Sequence, residues 1–78
     1  MTREYFVNRT SYNPATKRTV YRSRCFNTEN EAAMYYIETR SRAKGTARNI
    51  EGWTCDIQMV EHDGTTWRNL KCERVVAL

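Results

Sequence analysis

The sequence predicts an α+β fold: a four-stranded antiparallel sheet, connected β-β-α-β-β in spatial order 2-1-3-4, with one helix packed on one face. Three observations predict it. One stretch, Asn27 to Gly45, carries helix signals at both ends. Two segments rich in aromatic and β-branched residues precede it, joined across a proline turn, and two more follow it, joined across Asp63-Gly64. The helical crossover leaves strand three antiparallel to strand one, and that sets the order.

The helix is marked at its start by Thr28 and Glu31, at the spacing of a capping box. The hydroxyl accepts the Glu31 amide and the carboxylate reaches back to the cap. Glu29 and Glu31 meet the positive end of the helix dipole, and Arg40, Arg42 and Lys44 meet the negative end. Gly45 is expected to end the helix in a left-handed conformation. Ala33, Tyr36, Ile37 and Arg40 fall at helical spacing and form the predicted inward stripe. That stripe is too narrow to stand alone and needs a sheet beneath it.

Strand one is expected over Arg3 to Tyr12 and strand two over Lys17 to Phe26, with Asn13-Pro14-Ala15-Thr16 as the turn. This register sets Tyr12 against Lys17, Val7 against Arg22 and Phe6 against Ser23. Period two then sorts the side chains. One face carries Phe6, Asn8, Tyr12, Tyr21 and Cys25; the other carries Tyr5, Val7, Arg9, Arg18, Val20, Arg22 and Arg24. Unpaired guanidinium groups beneath a helix would each cost several kcal/mol. The first face is therefore assigned to the core and the arginine face to solvent or a partner. Phe26 is placed as a staple beside the helix cap.

Thr46 to Gly52 reads as a connecting loop. Strand three, Trp53 to Glu61, alternates cleanly, with Trp53, Cys55, Ile57 and Met59 facing inward. A two-residue turn at Asp63-Gly64 leads to strand four, Thr65 to Val75, and sets Val60 against Trp67, Ile57 against Leu70, Asp56 against Lys71 and Cys55 against Cys72. Cys55 and Cys72 are expected side by side and reduced, because facing ladder positions fit disulfide geometry poorly.

Seventy-eight residues make one domain, near the lower limit of what folds without staples. No run approaches the length of a membrane span, and MTREYFVN lacks the apolar core of a signal peptide, so the expected location is the cytoplasm of whatever cell hosts the protein. The net charge of +4 is unevenly spread: residues 1–26 carry +5, 27–39 carry −3, 40–50 carry +4 and 51–78 carry −2. Such polarity points to an electrostatically guided surface contact.

Catalytic readings fail on inventory. The single histidine, His62, sits at a hairpin tip, and there is no glycine-rich phosphate loop and no GxSxG motif. Three cysteines and one histidine show no zinc-ligand spacing, so neither metal nor cofactor is expected. The remaining candidates are binding residues. Arg9, Arg18, Arg22, Arg24 and Lys71, interleaved with Tyr5 and Trp67, are placed on the open sheet face. Guanidinium groups pair with phosphates and aromatic rings stack on bases, yet the same residue types are enriched at protein interfaces. A protein partner ranks first for this face, ahead of a merely solvated surface and of DNA or RNA. Arg40, Arg42, Lys44 and Arg48 form a second basic cluster at the helix end. Dipole complementarity is an ordinary reason for such a cluster, and a phosphate or acidic surface is the functional one.

The order of an aromatic first strand, a turn, a second strand ending at Phe26, the helix opening of Thr28 and Glu31-Ala32, the strand opening of Gly52-Trp53 and the closing GTTW of Gly64 to Trp67 resembles the small proteins that phages use against their hosts. It resembles some small anti-CRISPR proteins and the small phage inhibitor of bacterial RNA polymerase, which acts inside a bacterial host cell. The likeness is one of architecture, and no site residue carries over from it. It implies a non-catalytic inhibitor, monomeric or weakly dimeric, that occupies a surface of a host protein or nucleoprotein complex, with CRISPR interference complexes ahead of RNA polymerase. The basic charge departs from inhibitors that mimic DNA. It implies competition for an acidic patch or bridging between a protein and its nucleic acid.

Overall fold

Val7, Cys55, Ile57 and Met59 are the most deeply buried of the large side chains, and they locate the core between the middle of the sheet and the helix. The computed structural model describes residues 3–76. Its elements are β1 (Glu4–Asn13), β2 (Arg18–Phe26), α1 (Glu29–Asn49), β3 (Thr54–His62) and β4 (Trp67–Val76). The strands form one sheet in the order β2-β1-β3-β4, every neighbouring pair antiparallel. This is the predicted β-β-α-β-β arrangement.

The helix starts where the capping box places it. Thr28 is extended at the cap, its hydroxyl oxygen accepts the Glu31 amide at 3.3 Å, and the same hydroxyl donates to the Glu31 carboxylate at 2.8 Å. The end differs from expectation. The helix runs through Gly45 to Asn49, about 31 Å in all. Ala47 still has core to cover, and the break comes at Gly52, whose φ of +78° lets the chain turn into β3. Only Arg48 therefore lies in the last turn, and Arg40, Arg42 and Lys44 are distributed around the helix barrel. Gly45 is exposed within the helix, and a Cβ there would meet nothing within 4 Å. Gly45→Ala is expected to stabilise the protein by about 0.5–1 kcal/mol in urea unfolding. A glycine serving as a left-handed cap would give destabilisation instead.

The buried helix residues are Ala32, Tyr36, Thr39, Ala43 and Ala47, a row rotated by roughly 70° from the predicted stripe. Ile37 is 52% exposed. Small side chains win the inward positions because they let the helix lie close over Val7, Ile57 and Met59, and Tyr36 is the one large group in the row.

The faces of the first hairpin are the reverse of those expected. Tyr5, Val7 and Ser11 are buried beneath the helix, while Tyr21 (64% exposed) and Cys25 are on the outside. The helix runs mainly along β3 and its neighbours β1 and β4 and reaches β2 least, so every residue of β2 is exposed except the half-buried Phe26. Arg18, Arg22 and Arg24 on the helix side of β2 thus reach solvent past the helix edge, and the desolvation penalty that argued against this face is confined to Arg9 on β1. The register also moves. The turn spans residues 14–17, with the Asn13 side chain accepting the Ala15 amide at 3.0 Å and Lys17 at φ +57°, so Val7 pairs with Arg24 and Tyr12 with Thr19.

The inward face of β3 is the predicted one: Trp53, just before the strand, Cys55, Ile57 and Met59 are all buried. The second hairpin closes differently. Asp63 acts as a four-fold acceptor at the tip, taking the amides of Thr65 and Thr66 at 3.0 and 2.9 Å and both threonine hydroxyls. These bonds hold its carboxyl well below the usual carboxylate range. A depressed folded-state value gives stability that is present above about pH 4 and lost as pH falls through the folded value. Asp63→Ala is expected to lower the urea midpoint at pH 7, with the gap to the unaltered protein shrinking at pH 3.

The strand that follows shifts register beside Met59 and Val60, leaving Leu70 as the extra residue of a bulge. Lys71 therefore pairs with Met59 on the helix side, Asp56 pairs with Arg74, and Cys72 pairs with Gln58. Cys55 is buried under the helix and Cys72 is exposed on the opposite face, so the two free thiols cannot meet.

Candidate functional site

Strand pairing brings two arginines into direct opposition: Arg9 on β1 faces Arg22 on β2. Like charges at facing positions are destabilising by up to about 1 kcal/mol. Arg24, two residues along β2, points to the same side and pairs with Val7. The helix completes the arrangement. Val7, Arg9, Arg22, Ser23, Arg24, Tyr35, Thr39 and Arg42 line a cleft of about 330 Å³ between the helix and the edge strand.

Three of the four arginines of this cleft are uncompensated. None of its lining residues is a carboxylate, and among the described residues Arg9, Arg22 and Arg24 form no ion pair. Other arginines do: Arg74 is bidentate on Asp56 at 2.8 and 3.1 Å, Arg68 meets Glu61 at 3.1 Å, and Arg42 meets Glu38 one helical turn away. Arg9 is half-buried, and its Nε is buried without a hydrogen-bond partner. Leaving such a donor unsatisfied costs about 1–3 kcal/mol. Arg9 also lies near the buried Cys55, whose thiol is pushed up by burial while the guanidinium works in the other direction.

Arg24 is held by aromatic faces. Its guanidinium carbon lies 5.2 Å from the Phe26 ring centre and 5.0 Å from that of Tyr35, and the two rings are themselves 5.2 Å apart. Such stacking fixes the position of the group without neutralising it. Phe26, expected as a staple at the helix start, packs against Tyr35 and carries the Arg24 guanidinium over its ring.

The predicted binding residues separate into groups. Arg9, Arg22, Arg24 and Arg42 come together in the cleft, so the two basic regions read separately in the sequence converge. Arg18 lies on the same side at the start of β2 and is exposed. Tyr5 is core. Lys71 sits over the Tyr36 ring at 5.7 Å, and Arg40 reaches Glu73 at 3.6 Å. Glu73 accepts the Tyr36 hydroxyl at 3.0 Å; burial first, and this bond second, push the phenol up to about 12. Lys44 and Arg48 line a different cleft, of about 510 Å³, with Ala47, Glu73, Arg74 and Val75. That cleft carries both signs of charge. Tyr35 and Thr39 are cleft residues that the sequence reading did not assign to a site. The signal for Tyr35 was its position off the inward stripe.

Trp67 lies on the open face, as expected, 62% exposed and packed at 5.3 Å from Phe6 and 4.2 Å from His62. Val60 is buried there. The open face is thus aromatic at one end and lacks the arginines predicted for it. Among the described residues no cluster of histidine, cysteine or carboxylate groups could hold a metal ion, and no helix is long and apolar enough to cross a membrane.

Fold and cleft together define an α+β domain with an uncompensated basic cleft beside an edge strand. Compared with known proteins, the chain matches no family, no curated protein sequence and no solved structure.

Proposed function

We propose that this protein acts by binding, without catalysis, as a phage-type inhibitor that occupies a surface of a host nucleoprotein machine, with a CRISPR interference complex as the first target. The observation supporting a binding role is the cleft, where Arg9, Arg22 and Arg24 converge with no carboxylate to balance them. A domain of this size gains nothing for its own stability from opposed guanidinium groups; an anionic partner surface turns that repulsion into attraction. The host-inhibitor part of the proposal rests on the resemblance read from the order of motifs in the sequence.

A second reading, direct binding of DNA or RNA, is favoured by the stacked Arg24-Phe26-Tyr35 group beside free guanidinium donors, a combination suited to a base and its phosphate. One experiment separates the two. The purified protein is titrated into short single- and double-stranded DNA and RNA, and into a purified CRISPR interference complex, at about 50 and 200 mM salt. Inhibitor action predicts retention on the complex at the higher salt and suppressed target cleavage. Direct nucleic-acid binding predicts shifts of the bare strands that weaken steeply with salt. Absence of binding to every probe at both salts would contradict both readings.

A further inference from the structure

We propose that the cleft is a phosphoryl-group site in which Arg9 and Arg22 together clasp one phosphate, from the helix side of the sheet, with Arg24 and Tyr35 flanking the group attached to it. This deepens the reading above and rests on it: the cleft is the binding side, and the chemistry it recognises is phosphate.

Four observations carry the assignment. Arg9 and Arg22 face each other across neighbouring strands, close enough for one anion to bridge them. The Nε donor of Arg9 is buried with no acceptor among the described residues, so the guanidinium that lines the cleft is left short of a hydrogen-bond partner. Phosphate offers three or four acceptor oxygens and can satisfy two guanidinium forks at once, whereas a single carboxylate is filled by one fork. The cleft, at about 330 Å³, has room for more than a bare ion, and its outer wall is the aromatic surface of Tyr35 with the Arg24 guanidinium beside it. Competing partners within the chain are few. Glu38 engages Arg42 at the rim, and the Ser23 hydroxyl is turned away, donating to Asn8 at 2.6 Å. Arg9, Arg22 and Arg24 remain as the free donors. Such a phosphate could belong to a nucleotide end or to the internal backbone of a strand, and the two sources share the same contact.

The test uses the unaltered full chain and its guanidinium Nε–Hε NMR signals. Inorganic phosphate is expected to shift the Arg9 and Arg22 signals saturably, and chloride at matched ionic strength to leave them in place. A dinucleotide with a 5′-phosphate is then compared with the same dinucleotide without one. A gain of about tenfold or more from the 5′-phosphate assigns the site to strand ends, and equal affinity assigns it to internal phosphodiesters. Arg9→Gln is expected to weaken phosphate binding about tenfold, and Arg9→Lys, which keeps charge and loses the fork, to restore only part of it. Should Arg9→Gln fail to fold, Arg22→Gln on the exposed edge strand carries the same prediction. The proposal is overturned if wild-type Arg9 and Arg22 signals show no saturable response, or if the folded variant binds phosphate as tightly as wild type. If phosphate fails to bind while charge reversal in the cleft still abolishes partner binding, the binding side stands and its ligand is an acidic protein surface.

Discussion

Replacing Arg22 and Arg24 together with glutamate is expected to weaken binding to the partner complex, or to nucleic acid, at least about a hundredfold. Each arginine supplies a charge-assisted hydrogen bond of about 1.5–3 kcal/mol to an anionic partner, and reversal adds repulsion to the loss. Stability should barely change. Both side chains stand exposed on an edge strand, and among the described residues neither is in an ion pair. Loss of the Arg24 stacking on Phe26 and Tyr35 costs about 0.5–1 kcal/mol, while exchanging the Arg9-Arg22 repulsion for an attraction offsets part of it. The melting temperature is therefore expected to move by no more than about 4 °C. The two quantities are measured on the same preparation by thermal melting and by titration. Tyr21→Ala, on the opposite face, is the control and should alter neither. A collapse in melting temperature for the double variant would mean that the arginines hold the fold together.

Ile57→Ala is expected to cost about 2–5 kcal/mol, as large as the whole stability of many domains this small. Ile57 is among the most deeply buried side chains, on the strand the helix covers, and truncation leaves a void that rigid strand neighbours cannot close. Ile37→Ala should stay within about 0.5 kcal/mol, because that side chain stands half in water on the outer side of the helix. Urea unfolding of both variants tests which helix row faces the sheet. Comparable losses at the two positions would contradict the orientation described above.

Much of the architecture was legible in the residues. The capping box at Thr28, the alternation from Trp53 to Met59 and the two turn signals were enough for element order and strand order, because each is a local rule with little competition. The face of the first hairpin was not. Its parity was read correctly, with Arg9, Arg22 and Arg24 sharing a side, but the choice between sides assumed a helix that covers all four strands. The helix covers part of the sheet, so the arginines of β2 could face it while staying exposed, and only Arg9 is partly buried. The helix end was missed because Gly45 has a cap's identity in a place where the chain continues, and Gly52 makes the turn. Lys71 changed faces because a bulge at Leu70 leaves no sequence signature. The cleft was half visible for the same reasons: its arginines were named, and its wall of Tyr35 and Thr39 depended on a helix rotation that apolar counting does not give.

The central claim is that ligands are met on the helix side of β2 rather than on the open aromatic face. Backbone amide NMR mapping of the protein with a saturating single-stranded oligonucleotide tests it most directly. The account predicts shifts concentrated at residues 7–9, 22–24 and 35–42, with Phe6, Tyr21, Val60 and Trp67 unmoved. Shifts concentrated on Phe6, Tyr21 and Trp67, with the cleft silent, would contradict it.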